Sequence, residues 1–542
     1  MAKRSVALFV ALTLFLFLTA LRVFDISSGV SFAQTAAQQH TYKLVVASTR
    51  GTIYDCRKRP LTGEEDAYAA AVVPTVEGTA ALGKILSADQ MREIYPQLTA
   101  GRPFALKLPT NLKAEGVTVF PVGKRYADYA QAANILGYLD GSGKGAAGVE
   151  KAFDAQLSAN PGRISVTYQV DALNRVLGGE EQQVEDTLYR KNSGVVLTLD
   201  KEIQNMAERA AARYLTKGAV VVTEVPSCKI RAMASLPSFS QNDVAGALKS
   251  QDSPLLNRAV SAYSVGSVFK LVSASAALEH GISPDYRYTC TGAIDVDGGL
   301  FHCFNSEAHG SQDMNAAIAN SCNAYFVNLM QQVPQSEFLA MAKAYGFGAS
   351  TELAPGLSTA AGVLPALKSL FVPRALANFS FGQGELTATP LQIDAMVNAI
   401  ASGGVYTEPS LYEGLVGDNL EYTEKAAGQK SRRVTSEQTA CLLMKFMKSS
   451  IDVGTSRKGK PSAGEAGAKT ATAQTGNFVD GKEQVESWFA GFYPYENPRY
   501  VITVFAEGGE GGGTTCGPVF RQIADELQAY GNGLPVDAHT DD

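Results

Sequence analysis

The run from Ser5 to Leu21 contains no charged residue and follows directly on Lys3 and Arg4. A stretch of that kind has few structural choices. In a bilayer only a helix or a closed barrel satisfies every backbone N–H and C=O. With Val23, Phe24 and Ile26 added and Arg22 reaching back to the interface, the run approaches the roughly 20 residues a spanning helix needs. The basic residues ahead of it keep that end in the cytoplasm and send the remainder of the chain to the other side. A cleaved signal peptide with Ser31-Phe32-Ala33 as its cleavage site is the competing reading, and the length of the run favours an uncleaved anchor over 1–26. No later stretch of the sequence is long and apolar enough for a second span, so a single pass is expected.

The chain has 542 residues, 45% of them apolar, enough for roughly two or three domains with cores of their own. A net charge of −6 with scattered basic residues leaves no electrostatic footprint for nucleic acid. Seven cysteines without a Cys-x-x-Cys pair do not describe a disulfide scaffold. Residues 27–190 read as a mixed module, with a strand at Leu44–Ala47, a glycine turn within Ser48–Asp55 and a glycine-rich loop from Gly137 to Gly148. Nothing there has catalytic spacing. Arg50, Asp55 and Glu150 read as structural ion pairs, and the module as a spacer.

A further module is expected over 194–531, ahead of a disordered acidic tail at 532–542. It opens with a strand at Val195–Leu199, an N-cap at Asp200 and a helical stripe of Ile203, Met206, Ala207, Ala210 and Ala211 that stops by Gly218. Ala219–Val225 and Lys229–Ala234 form a hairpin. Late strands at Lys469–Gln474, Trp488–Tyr493 and Tyr500–Glu507, closed by a helix over Phe520–Tyr530, join them in one sheet. A mainly helical insert lies between, at about 240–455.

Within the insert, Tyr263 to Lys270 places Ser267 and Lys270 three residues apart after a glycine, with apolar Val268, Leu271, Val272 and Leu278 marking a buried helix that ends at Gly281. A serine hydroxyl needs a base, and a lysine amine serves if burial lowers its pKa. Ser321 and Asn323 at i and i+2 aim into one cleft from a loop. Lys469-Thr470-Ala471-Thr472 sits on a strand near the sheet edge, where a lysine and backbone N–H groups meet a carboxylate and an oxyanion. Each motif alone is short and has an ordinary structural reading. Their order and separation make the pattern.

With these residues the sequence resembles the class B penicillin-binding proteins, whose signature elements are Ser-x-x-Lys, Ser-x-Asn and Lys-Thr-Gly. The resemblance extends to Phe381–Gln392, Ala232–Pro237, Trp488–Phe492, Arg50–Asp55 and Gly148–Glu150, nearly the whole chain. It implies an α+β fold: a penicillin-binding/β-lactamase-like transpeptidase domain, an antiparallel sheet with a helical insert, on a smaller mixed pedestal. It also implies a peptidoglycan D,D-transpeptidase acting on stem peptides that end in D-Ala-D-Ala, inhibited by β-lactams, working beside a glycan polymerase on the outer side of a bacterial membrane, without a cofactor. The implied roles make Ser267 the nucleophile, Lys270 its base, Ser321 the proton relay and Asn323 the clamp on the substrate amide. Lys469 tunes the electrostatics, Thr470 and Thr472 bind the terminal carboxylate, and the N–H groups of Ser267 and Thr472 form the oxyanion hole. Rival readings are a carboxypeptidase or β-lactamase-type hydrolase, and a catalytically silent scaffold.

Three positions depart from the family pattern. Val265 replaces a usual proline and is expected to loosen the turn. Ser487 stands where histidine is common. Ala471 replaces the glycine of Lys-Thr-Gly, and its methyl, on the Lys469 face of the strand, must press on either the ligand or the insert. Separately, Cys290, His302, Cys303 and His309 match no standard zinc spacing, so no metal is expected. Cys290 and Cys303 read equally as a disulfide or as two free thiols.

Overall fold

Helix α1 (Ala2–Ser28) carries the apolar run, and its 26-residue stretch Lys3–Ser28 is not buried against the protein at all. At 1.5 Å per residue it is about 40 Å long, more than the roughly 30 Å of a hydrocarbon core. Arg22, the charge inside the run, is paired at 3.2 Å with Asp25 one turn on. The computed structural model describes residues 2–28, 41–63, 65–128, 131–159, 161–177, 182–187, 192–479 and 481–531. The expected tail and the Ser31–Ala33 site lie outside them.

Two compact units follow from the contacts. The first comprises Met1–Arg50, Glu64–Arg125 and Asn160–Lys191. It holds two three-stranded antiparallel sheets, Thr41–Ser48, Arg163–Gln169 and Gln183–Asp186 in one, and Phe104–Leu108, Glu65–Val72 and Val117–Lys124 in the other. Helices Val76–Ile85 and Ala88–Ala100 bury Leu82 and Ile94 against Val72 and Phe104. A reciprocal Ser87–Gln90 capping box starts the second helix.

The second unit comprises Gly51–Gly63, Tyr126–Ala159 and Asn192–Asp542. Its boundary differs from the linear one read from sequence, because two segments assigned to the spacer pack here. Thr52–Tyr54 pairs in parallel with Gly194–Leu197, which pairs on its other side with Tyr412–Val416. Parallel neighbours lie far apart along a chain, so composition cannot reveal them. Asp55 is the structural ion pair expected: Arg59 binds it at 2.7 Å and reaches on to Asp200 and Glu202 at 3.0 Å each. Glu150, fully buried, accepts the Tyr126 hydroxyl at 3.0 Å.

The core of this unit is one five-stranded antiparallel sheet built from β1 (Gly218–Glu224), β2 (Ile230–Leu236), β3 (Gly467–Val479), β4 (Lys482–Tyr493) and β5 (Tyr500–Glu507), in the order β2-β1-β5-β4-β3. The hairpin and the late strands therefore join as expected, with β3 at an edge. Side chains alternate between two buried faces. Val220, Val222, Ile502, Val504 and Phe489 meet helix α2 (Lys201–Tyr214) and a C-terminal helix (Gly517–Gly531). Val221, Met233, Trp488, Ala490 and Phe505 meet the insert. Burial on both sides is why these strands read as unbroken apolar runs. Asp200 caps α2 by accepting from the Glu202 N–H, and all five stripe residues are buried. Ile203→Ala would remove about 2–5 kcal/mol there. The insert carries, besides its helices, several two-stranded ribbons that the helical reading did not include.

Candidate active site

The turn into helix α3 (Lys270–Glu279) sets the position of Ser267. Gly266 takes φ +66°, which any residue with a Cβ adopts at a cost, and a 3₁₀ turn over Gly266–Phe269 runs straight into α3. Ser267 thus lies on a 3₁₀ turn and not on the regular helix, but i and i+3 eclipse in that geometry and keep it on the side of Lys270. The turn is held from both ends. Gly266 N–H donates to the Gly382 carbonyl at 2.8 Å, and Trp488 Nε1–H to the Ser264 carbonyl at 2.9 Å. Val265 is fully buried in this turn. Gly382 permits the approach: a Cβ there would stand 2.1 Å from the Gly266 oxygen.

Lys270 is fully buried, and its Nζ donates to the Ser321 carbonyl and to Asn323 Oδ1, both at 2.6 Å, with Ser321 Oγ at 3.3 Å. Ser321 sits at φ +56° in a turn between helix α4 (Met314–Ala319) and helix α5 (Asn323–Met330), and Asn323 is the first residue of α5. The short loop aims both polar side chains at one amine. Asn323 Nδ2 donates to the His302 carbonyl at 2.8 Å, which fixes the amide's orientation. From β3, buried Lys469 donates to Ser321 Oγ at 3.0 Å and to the Thr470 carbonyl at 2.8 Å. The Ser321 hydroxyl is therefore flanked by two amines.

Burial pulls the Lys270 amine down to about 7. Burial, followed by the neighbouring Lys270 charge, pulls Lys469 well below its ordinary range. Two buried ammonium ions around one hydroxyl repel, so the pair holds fewer than two protons near neutrality. Only the neutral form of an amine can accept a proton.

The carboxylate-binding candidates face elsewhere on β3. Thr470 Oγ1 donates to Thr455 Oγ1 at 2.9 Å, and Thr472 Oγ1 accepts the Gly512 N–H at 3.4 Å. Thr455 and the 508–513 loop are participants that sequence reasoning missed. The visible signal was five glycines in six residues between β5 and the last helix, where a Cβ on Gly512 would stand 2.0 Å from the Trp488 oxygen. Ser487 lies directly across from Thr472 and is fully buried.

Ala471 resolves toward the insert. Its methyl, 3% exposed, lies 3.4 Å from where a Gly266 Cβ would stand, with Ala473 at 3.2 Å. The methyl packs under the Gly266–Phe269 turn. Ala471→Gly is expected to change the second-order acylation rate by less than about tenfold, equivalent to about 1.4 kcal/mol, and to lower stability slightly through chain entropy. A rate series with a chromogenic β-lactam and a thermal melt check this; a much larger gain in rate would mean the methyl obstructs the site.

With this geometry in hand, the Penicillin binding protein transpeptidase domain family matches residues 218–525, from β1 into the last helix and across every residue of the cluster. The chain belongs to the penicillin-binding protein family. It is similar to stage V sporulation protein D of Bacillus subtilis, 27% identical with 91% of this chain and 80% of that protein covered. It is similar to penicillin-binding protein PbpB of Mycobacterium tuberculosis, 31% identical over 76% of this chain and 62% of that protein. Among solved structures it matches penicillin-binding protein 3 of Mycobacterium tuberculosis in complex with aztreonam, at TM-score 0.66 and 25% identity, covering 91% of this chain and 97% of the other. These are class B relatives, and the chain is a class B member with their fold.

Proposed function

We propose that this chain is a membrane-anchored peptidoglycan D,D-transpeptidase that works through an acyl-enzyme on Ser267. The observation that carries the reading is the hydrogen-bonded set in which Lys270 of α3 binds Asn323 at the start of α5 and shares the Ser321 hydroxyl of the α4–α5 turn with Lys469 of β3. The aztreonam held by the mycobacterial relative supports a site that accepts β-lactams.

In the proposed reaction Lys270 takes the Ser267 proton as Oγ attacks the carbonyl of the penultimate D-Ala. The oxyanion meets the N–H groups of Ser267 and Thr472, where one lost donor costs on the order of a hundredfold or more. The C–N bond then breaks, and the proton returns through Ser321 to the departing D-Ala amine. A neighbouring strand's amine attacks the ester, gives up a proton by the same relay and releases Ser267 with a new cross-link. Asn323 holds the donor amide. Thr470 and Thr472 receive the terminal carboxylate, and Lys469 tunes the electrostatics. Helix α1 lies in the bacterial membrane, the catalytic unit stands on the extracytoplasmic side, and a glycan polymerase supplies the strands.

The test is the full chain incubated with a donor peptide ending in D-Ala-D-Ala and an acceptor amine, with intact-protein mass spectra after penicillin in parallel. A cross-linked product and an adduct that persists for hours are expected. Release of D-Ala without cross-linking would make it a carboxypeptidase, rapid loss of the adduct a β-lactamase, and absence of both a silent scaffold.

A further inference from the structure

Behind the Ser321–Asn323 turn, four side chains that the reaction does not use converge. Cys290 ends the strand Tyr288–Cys290, Cys303 follows the ribbon strand Gly299–His302, His309 precedes the strand Gly310–Gln312, and Cys322 is the N-cap of α5. Their ligating atoms all lie within 4.8 Å of one another. We propose that Cys290, Cys303, His309 and Cys322 form a tetrahedral zinc site that braces the loop carrying Ser321 and Asn323.

The distances are those of a coordination sphere. Cys303 Sγ stands 3.6 Å from Cys290 Sγ and 3.7 Å from Cys322 Sγ, and Cys290 Sγ stands 3.5 Å from His309 Nδ1. Zn–S bonds of about 2.3 Å and a Zn–N bond of about 2.0–2.1 Å at tetrahedral angles place sulfurs about 3.8 Å apart and sulfur and nitrogen about 3.5 Å apart. A disulfide requires about 2.05 Å, and all three cysteines are free. Cys303 is nearly equidistant from two partners, which a single bond would not favour.

Backbone donors point the same way. Gly292 N–H donates to Cys290 Sγ at 3.4 Å and Tyr325 N–H to Cys322 Sγ at 3.4 Å. Two of the three sulfurs thus accept peptide N–H groups, an outer shell suited to metal-bound thiolates. Three sulfurs and one imidazole select zinc among common divalent ions.

The surroundings need such a brace. The ribbons 288–290 with 310–312 and 293–296 with 299–302 have two strands each, a size that is marginal alone, and they leave Leu300 and Phe304 exposed. An ion would tie both ribbons to α5. Because Cys322 lies between Ser321 and Asn323, it would also fix the φ +56° turn that presents them. On sequence grounds no metal is expected, and His302, not Cys322, stands with Cys290, Cys303 and His309. His302 turns away to Ser306 Oγ at 3.2 Å, and Cys322 takes its place.

The test is elemental analysis of the full-length protein purified in detergent without chelator. About one zinc per chain is expected. Replacement by Co2+ should give tetrahedral d–d bands with thiolate charge transfer. Cys303→Ser and His309→Ala should weaken zinc binding by more than the roughly 10- to 100-fold that loss of an outer-shell partner costs, whereas Cys441→Ser, an exposed cysteine outside the cluster, should retain it. Less than about half an equivalent of zinc, another metal at full occupancy, a cobalt spectrum without thiolate bands, or a disulfide within the cluster would each overturn the site. The wild-type count and cobalt spectrum decide this even if the variants fail to fold. Chelation should slow penicillin acylation on the order of tenfold, reversed by Zn2+. The metal count stands apart from the transpeptidase reading, since it holds or fails whether or not Ser267 is acylated.

Discussion

Ser267→Ala is expected to leave the full chain with no covalent penicillin adduct, and donor-peptide turnover should fall on the order of a million-fold, the scale on which loss of a serine nucleophile removes a whole catalytic set. Ser267 is the chain's only Ser-x-x-Lys serine, and it sits on a turn fixed by the Gly266–Gly382 and Trp488–Ser264 hydrogen bonds. The substitution removes an oxygen from a half-buried position and leaves those bonds in place, so the variant should melt close to wild type. Intact-mass spectrometry and peptide mapping after a labelled penicillin provide the measurement. An adduct on another residue, or labelling that survives the substitution, would sink the assignment.

Lys270→Arg should lose acylation nearly as completely as Lys270→Ala, a drop on the order of 10²–10⁴, the usual contribution of a general base. Arginine stays protonated at any accessible pH and cannot accept the serine proton. Its planar fork also does not fit the point contacts at 2.6 Å that Nζ makes with the Ser321 carbonyl and Asn323 Oδ1. The pH profile supplies a second readout. Only the neutral amine acts as a base, and burial has brought Lys270 down to about 7. Wild-type acylation should therefore be low in acid, climb through about pH 7 and level off above it. Stopped-flow acylation across that range checks the sign; a rate flat through neutrality, or near-normal acylation of the arginine variant, would show that Lys270 contributes charge alone.

Much of the site could be read from local pattern because its chemistry is carried by short-range geometry. The three-residue separation of Ser267 and Lys270 puts both on one side of either a 3₁₀ turn or an α-helix, so that expectation did not depend on which one formed. The two-residue period of a strand is enough to put Ala471 on the Lys469 face. Whether its methyl presses on ligand or insert is not decidable that way, since Gly266 and Ala471 are 205 residues apart in sequence. Thr455, Gly512 and Cys322 were missed for the same reason. Each is an ordinary residue in its own neighbourhood and gains a role only from what folds against it.

By itself, the sequence determined the elements that local forces select: the apolar helix α1, the capped stripe of α2, the two-sided apolar strands and the order of the three motifs. Tertiary structure decided what rests on long loop closures. Those closures carried 51–63 into the catalytic unit through a parallel pairing. They brought two buried lysines from distant elements to one hydroxyl, where burial lowers the affinity of both for protons and the Lys270 charge lowers that of Lys469 further. They also turned His302 outward and set Cys322 beside Cys290, Cys303 and His309. Charge repulsion, desolvation and ligand distances depend on separations in space, and a linear chain does not contain those until it has folded.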